Sequence, residues 1–172
     1  MIEQTIQLVE HQAKWRTLFL KEKTALELVL TDHLVGPIEH VGSTAVEGLM
    51  AKPTIDIMIG VESLTASKFM INVLTNLNYC YAPYKTEQMH WFCKPSPANR
   101  EFHLHLIPLN SKLWHDRLFF RDKLRQSAEL KTQYQSLKQK LAVQFANDRD
   151  QYSIAKTEFI QQVLALRDYN TN

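Results

Sequence analysis

Positions 54–61 read Thr-Ile-Asp-Ile-Met-Ile-Gly-Val. Ile55, Ile57 and Ile59 alternate with Thr54, Asp56 and Met58, the two-residue period of a strand with one face in a core. Asp56 is polar in this otherwise apolar strand, the mark of an acid kept for function at a cost in stability.

The strand has company on both sides. Ile38-Glu39-His40-Val41 reads as a shorter strand that ends at Gly42. Before it, 15–34 has a helical pattern. After it, the apolar face of Phe69, Met70, Val73, Leu74 and Leu77 predicts a helix capped by Ser63. Strands are expected at 90–94 and 101–107. In the last third, a helix over 113–125 follows the N-cap Ser111. Leu130, Tyr134, Leu137, Leu141 and Phe145 mark a long second helix, and Tyr152, Phe159, Ile160, Val163 and Leu164 a third, capped by Asp150. This order predicts an α+β domain, a mixed sheet with helices packed on one side and a helical C-terminal third, rather than a repeating doubly wound sheet. The 172 residues suit one domain spanning 1–172.

Three of the four glycines are Gly42, Gly48 and Gly60, grouped around this one segment. Glycine lets a phosphate approach the backbone, and the Ser43 hydroxyl with nearby amides can bond its oxygens. Asp56, on the neighbouring strand, is placed to hold a divalent cation bridging those phosphates. Lys52 adds a point charge to the same anion. The bland alternative is a Gly-Ser turn beside an exposed Asp.

Ile38-Glu39-His40-Val41-Gly42-Ser43-Thr44-Ala45-Val46, Gly48-Leu49 and Ala51-Lys52-Pro53-Thr54-Ile55-Asp56-Ile57 closely resemble the GrpB family signature. Trp15 with Leu18-Phe19, His103-Leu104-His105, Leu118-Phe119-Phe120-Arg121-Asp122, and Tyr152 with Lys156 and Phe159-Ile160 match in the same order. The resemblance implies a nucleotidyltransferase-like fold of the DNA polymerase beta type, with Gly42, Ser43 and Thr44 on phosphate and Asp56 on metal. It departs from active transferases of that fold at Met58. A second acid usually stands there, and methionine does not ligate a hard cation such as Mg²⁺. Glu47 stands where the family commonly has proline and is expected to face water.

His103 and His105 alternate with Phe102, Leu104 and Leu106, so both imidazoles project from one face, expected to be the open one. If Asp56 shares it, two histidines and a carboxylate form a transition-metal set. The rival role is proton transfer or hydrogen bonding to substrate. Metal binding would weaken as pH falls through about 6, whereas phosphate binding by the rings would strengthen.

Arg117, Arg121 and Arg125 form one helical stripe that either grips phosphate or pairs with Asp116, Asp122 and Glu129. Arg121, in the family-like Phe-Arg-Asp run, is the preferred phosphate ligand. Lys156 is a weaker candidate for the same pocket, and His40, His90 and Trp91 are candidates for a base or sugar subsite.

A net charge of +2 gives no basis for general nucleic-acid binding. No stretch approaches a membrane span, and Cys80 and Cys93 lack metal or redox spacing, so reduced thiols in the cytoplasm are expected. The residues therefore predict a protein that binds a nucleotide or phosphorylated small molecule with Mg²⁺ or another divalent metal. Nucleotidyl transfer is the first expectation. A non-catalytic binding module and a metal-dependent hydrolase using the His-x-His pair are its rivals.

Overall fold

A computed structural model describes residues 5–167. Five strands form one mixed sheet: β1 (Ile38–Val41), β2 (Ile55–Val61), β3 (Cys80–Ala82), β4 (His90–Pro95) and β5 (Arg100–Pro108), in the order β1-β2-β5-β4-β3. The β2–β5 pair is parallel and its neighbours are antiparallel. The strands expected at 38–41, 54–61, 90–94 and 101–107 are all present. The short β3 was not anticipated from the sequence, since three residues are too few to display a period. On it, Cys80 is the register partner of Cys93, and both are free thiols.

One sheet face carries Ile55, Ile57, Ile59, Phe92, Phe102, Leu104 and Leu106, all buried. Helix α1 (Lys14–Leu30) covers it with Trp15, Phe19, Leu26 and Leu30, spaced four, seven and four apart so that they form one stripe. Helix α2 (Met70–Thr75) adds Met70 and Leu74. The cap expected at Ser63 serves a turn instead: its hydroxyl accepts from the Ala66 amide, and the helix starts later, at Met70.

The last third is helical, as expected, with α3 (Lys112–Gln126), α4 (Ala128–Gln144), α5 (Arg149–Ile154) and α6 (Thr157–Ala165). Ser111 caps α3 as anticipated. The third predicted helix is two short ones, and its cap is Asp148, which accepts from the Gln151 amide, not Asp150. Helix α3 also lies on the second sheet face, where Trp114 packs with Val41, Met58, Met89 and Ile107. That face, expected to be open, is therefore largely roofed.

Among the described residues no helix is long and apolar enough to cross a membrane.

Glu22, on the buried stripe of α1, accepts from the Tyr79 hydroxyl at 2.9 Å and from Lys94 Nζ at 2.6 Å. It thereby ties α1 to the β3–β4 end of the sheet. Removing a buried acceptor leaves both donors without their partner. Glu22→Ala is expected to cost about 2–3 kcal/mol, read as a lower urea midpoint with unchanged slope.

A carboxylate between two imidazoles

The pairing of three strands brings the site together. Asp56 is the Cα partner of Val41 on one side and His103 on the other. Because Ile55 and Ile57 point towards α1, Asp56 must point towards α3. His103 and His105 leave β5 on that same face. Asp56 Oδ1 lies 3.0 Å from His103 Nδ1 and 3.6 Å from His105 Nε2. One donor atom from each of the three residues lies within 4.8 Å of the others.

The environment fixes the charges. Burial alone would raise the Asp56 pKa, but the two imidazoles outweigh it and hold the carboxyl well below the usual range. Burial, aided by the Arg117 charge, pushes His105 down to about 3 against the pull of Asp56. His105 is therefore neutral and carries one ring proton. Its Nδ1 lies 3.5 Å from Met89 Sδ, and its buried Nε2 has no hydrogen-bond partner. Nε2 faces the Asp56 carboxylate, so a metal placed between them would be held by that nitrogen with the ring proton on Nδ1. His103 Nε2 is likewise buried without a partner. Two imidazoles and one carboxylate suit manganese, iron or zinc better than magnesium, which prefers oxygen ligands.

The glycine next to this carboxylate is there for the carboxylate. Gly42 adopts φ 72 and ψ −173, backbone that essentially only glycine occupies. A Cβ at that position would overlap Asp56 Oδ2 and come within 3.0 Å of Cγ. Ser43, half-buried, lies beside the Tyr134 hydroxyl of α4; burial raises the pKa of that hydroxyl and Ser43 opposes the rise. Thr44 turns away from the cleft. It is buried, and its hydroxyl is taken by His40 Nε2 at 3.0 Å and the Thr54 carbonyl at 3.2 Å. The Thr44 hydroxyl, expected among the phosphate ligands, here braces the loop that carries Ser43.

Cations surround the centre. Arg117, one turn before Arg121, feels the charges of Asp56 and Tyr84 and donates to Met89 Sδ. Lys156 lies over the Tyr152 ring, and burial, with the Lys52 charge, lowers it to about 8 while Asp56 pulls it up. Lys138, almost fully buried, donates to the Met50 carbonyl and is brought down to about 7 by burial and then by Lys156. Lys52, Lys156 and Asp56 therefore share one electrostatic neighbourhood.

Arg121 is elsewhere. Its guanidinium bonds Glu39 at 2.6 Å, Asp122 at 2.7 Å and the His40 carbonyl at 3.0 Å, at the outer edge of β1. The rise of one helical turn carries it past the cleft and over the edge strand. Arg125 beside it holds the Ala45 carbonyl. The acid-paired reading of the stripe therefore applies to these two, and Arg117 is the member that faces Asp56. Of the subsite candidates, Trp91 reaches the cleft, its ring 5.1 Å from that of His103. His40 and His90 are buried on the α1–α2 side, His40 stacked on Phe19 and His90 bonded to the Leu64 carbonyl. Met58 is fully buried beside Trp114, and Glu47 is exposed as expected.

A strand ending in Gly-Ser, an acid on the paired strand and a His-x-His strand behind it form one geometric unit. The family model described as GrpB protein matches residues 5–166. The chain belongs to the GrpB family. The Glutamate-rich protein GrpB of Alkalihalophilus pseudofirmus is 33% identical over 91% of this chain and 92% of its own length. The crystal structure of conserved protein GrpB from Enterococcus faecalis superposes with a TM-score of 0.83 at 29% identity, over 95% of this chain and 99% of that one. A chain in the structure of a GLD-2/RNP-8 complex shares the fold at 12% identity and a TM-score of 0.57, over 88% of this chain and 60% of that chain.

Two signals for this GrpB-family site were hidden in the sequence. Tyr134 sits on the apolar stripe of α4 and reads as core, yet its hydroxyl meets Ser43. Arg117 differs from Arg121 only by one turn, and nothing local tells which turn faces Asp56.

Gly42→Ala is expected to lower stability by at least about 2 kcal/mol, since it combines forbidden backbone with a clash against Asp56. Chemical denaturation measures the loss, and a variant within about 0.5 kcal/mol of wild type would refute the contact. A second test uses pH. Burial, against the pull of Asp56, holds His40 at about 4, below its ordinary 6.5. Between those values the unfolded chain takes up a proton that the folded chain refuses, so stability is full above 6.5 and falls as pH drops. His40→Gln is expected to flatten this decline, measured as the difference in Tm between about pH 7.5 and about pH 4.5.

Proposed function

We propose that this protein binds a phosphorylated small molecule, with nucleoside phosphates as the favoured class, through a divalent metal held by Asp56, His103 and His105. The observation that carries the reading is the set of three donor atoms within 4.8 Å of one another, two of them on histidines with unpartnered buried nitrogens. In this reading Ser43 and the backbone at Gly42 take phosphate oxygens, and Lys52, Lys156 and Arg117 balance the remaining negative charge. The donor chemistry favours Mn²⁺, Fe²⁺ or Zn²⁺ over the Mg²⁺ expected from the fold resemblance.

The reaction best suited to such a site is transfer of a nucleotidyl group to a small acceptor. The bound metal would supply charge stabilisation at the phosphate. The nucleotidyltransferase-like fold that the sequence resemblance implies supports this. A second reading, binding without transfer, is favoured by Met58, which leaves the usual second-acid position apolar and buried. Turnover of labelled nucleoside triphosphate separates the two.

The binding claim is tested by thermal shift and calorimetry. Wild type is expected to melt higher with Mn²⁺, and higher again with Mn²⁺ and ATP, because a ligand of the native state alone raises its stability. Asp56→Asn should fold, lose the Mn²⁺-dependent shift and bind ATP at least about tenfold more weakly. Wild-type affinity in Asp56→Asn with metal present would remove Asp56 from the site.

A further inference from the structure

The loop between β3 and β4 brings a second chemistry to the same cleft. Trp91 is the register partner of His105, so its indole leaves the sheet on the Asp56 face. Its ring lies 5.1 Å from His103, and the Tyr84 ring lies 6.4 Å from Trp91. The two aromatics are thus one and two rings out from a proposed metal ligand. Trp91 is half-buried, one side packed against the Met58–Trp114 cluster, and Tyr84 is 51% exposed. The Arg100 guanidinium lies 5.5 Å from the Trp91 ring, held otherwise by a single bond from Nε to the Pro97 carbonyl. Arg117 feels the charges of both Asp56 and Tyr84, so the carboxylate and the outer aromatic lie within electrostatic reach of one guanidinium.

We infer that Trp91 and Tyr84 form a stacking shelf for the aromatic base of a nucleoside phosphate, with Arg100 above it; this rests on the phosphate-and-metal reading of Asp56, His103 and His105. Phosphates held at Asp56 leave the sugar and base to extend outward past His103, and the first surfaces there are these two rings. Every base presents a π-face, so such a shelf supplies affinity with little discrimination among bases. A guanidinium over the same ring adds a planar, cationic partner that can close on the base from its other side.

The test separates base from phosphate. Affinities of ATP and inorganic tripolyphosphate are measured by calorimetry at saturating Mn²⁺, for wild type, Tyr84→Ala and Trp91→Leu. Wild type should bind ATP at least about fivefold more tightly than tripolyphosphate, the lower range for stacking of one base. Tyr84→Ala and Trp91→Leu should shrink that advantage to within about twofold and leave tripolyphosphate affinity unchanged. Tyr84 lies on an exposed turn, so its variant decides the matter even if Trp91→Leu fails to fold. Equal affinities in wild type, or an undiminished ATP advantage in Tyr84→Ala, would overturn the shelf while leaving the phosphate site standing. Binding of neither ligand by wild type would overturn the phosphate reading and the shelf with it.

Discussion

The Asp56 carboxylate rests against a backbone that has no side chain to oppose it. Gly42 supplies the space, in a conformation closed to other residues, and the end of β1 is thereby drawn up to the acid. On the other side His103 and His105 press the carboxylate into its ionised form, although burial disfavours charge. The strand pairing around β2 is what makes both contacts possible, because Val41, Asp56 and His103 are register neighbours. A shift of one residue in the β2–β5 pairing would send the imidazoles to the α1 side, and one in the β1–β2 pairing would take Gly42 away from the acid.

This arrangement sets the electrostatics beyond it. A carboxylate held ionised in a cleft roofed by α3 draws in cations, and Arg117, Lys156 and Lys52 occupy that neighbourhood. Burial lowers Lys156 and Lys138 to about 8 and about 7, so their charge responds to conditions near neutrality. The fold places structural devices close by for the same reason. The His40–Thr44–Thr54 chain of hydrogen bonds anchors the turn from below, so the turn itself presents only Gly42 and Ser43 upward.

Much of this was legible in the residues. The isoleucine alternation of β2 fixed which face Asp56 takes, and the alternation in β5 placed both histidines together, since a period of two admits no other arrangement. Ser111 announces the start of α3 by local hydrogen bonding alone. What failed to read were features without a local period. The three residues of β3, the division of the last helix into α5 and α6, and the cap at Asp148 depend on neighbours distant in sequence. Thr44 read as a phosphate ligand because its hydroxyl sits in a loop motif, and only its partners at His40 and Thr54 show that the hydroxyl is spent.

By itself, then, the sequence determined the acid, the two imidazoles, the glycine beside them and the family to which the chain belongs. These are properties of local pattern, set by dihedral limits and side-chain alternation. The tertiary structure alone decided that α3 roofs the second sheet face, that Arg117 feels the charge of Asp56 while Arg121 is bound to Glu39, and that Trp91 stands next to His103 with Tyr84 beyond it. Those outcomes follow from the path of one helix across a sheet and the reach of one hairpin. The packing of whole elements sets both, and no short stretch of residues encodes either.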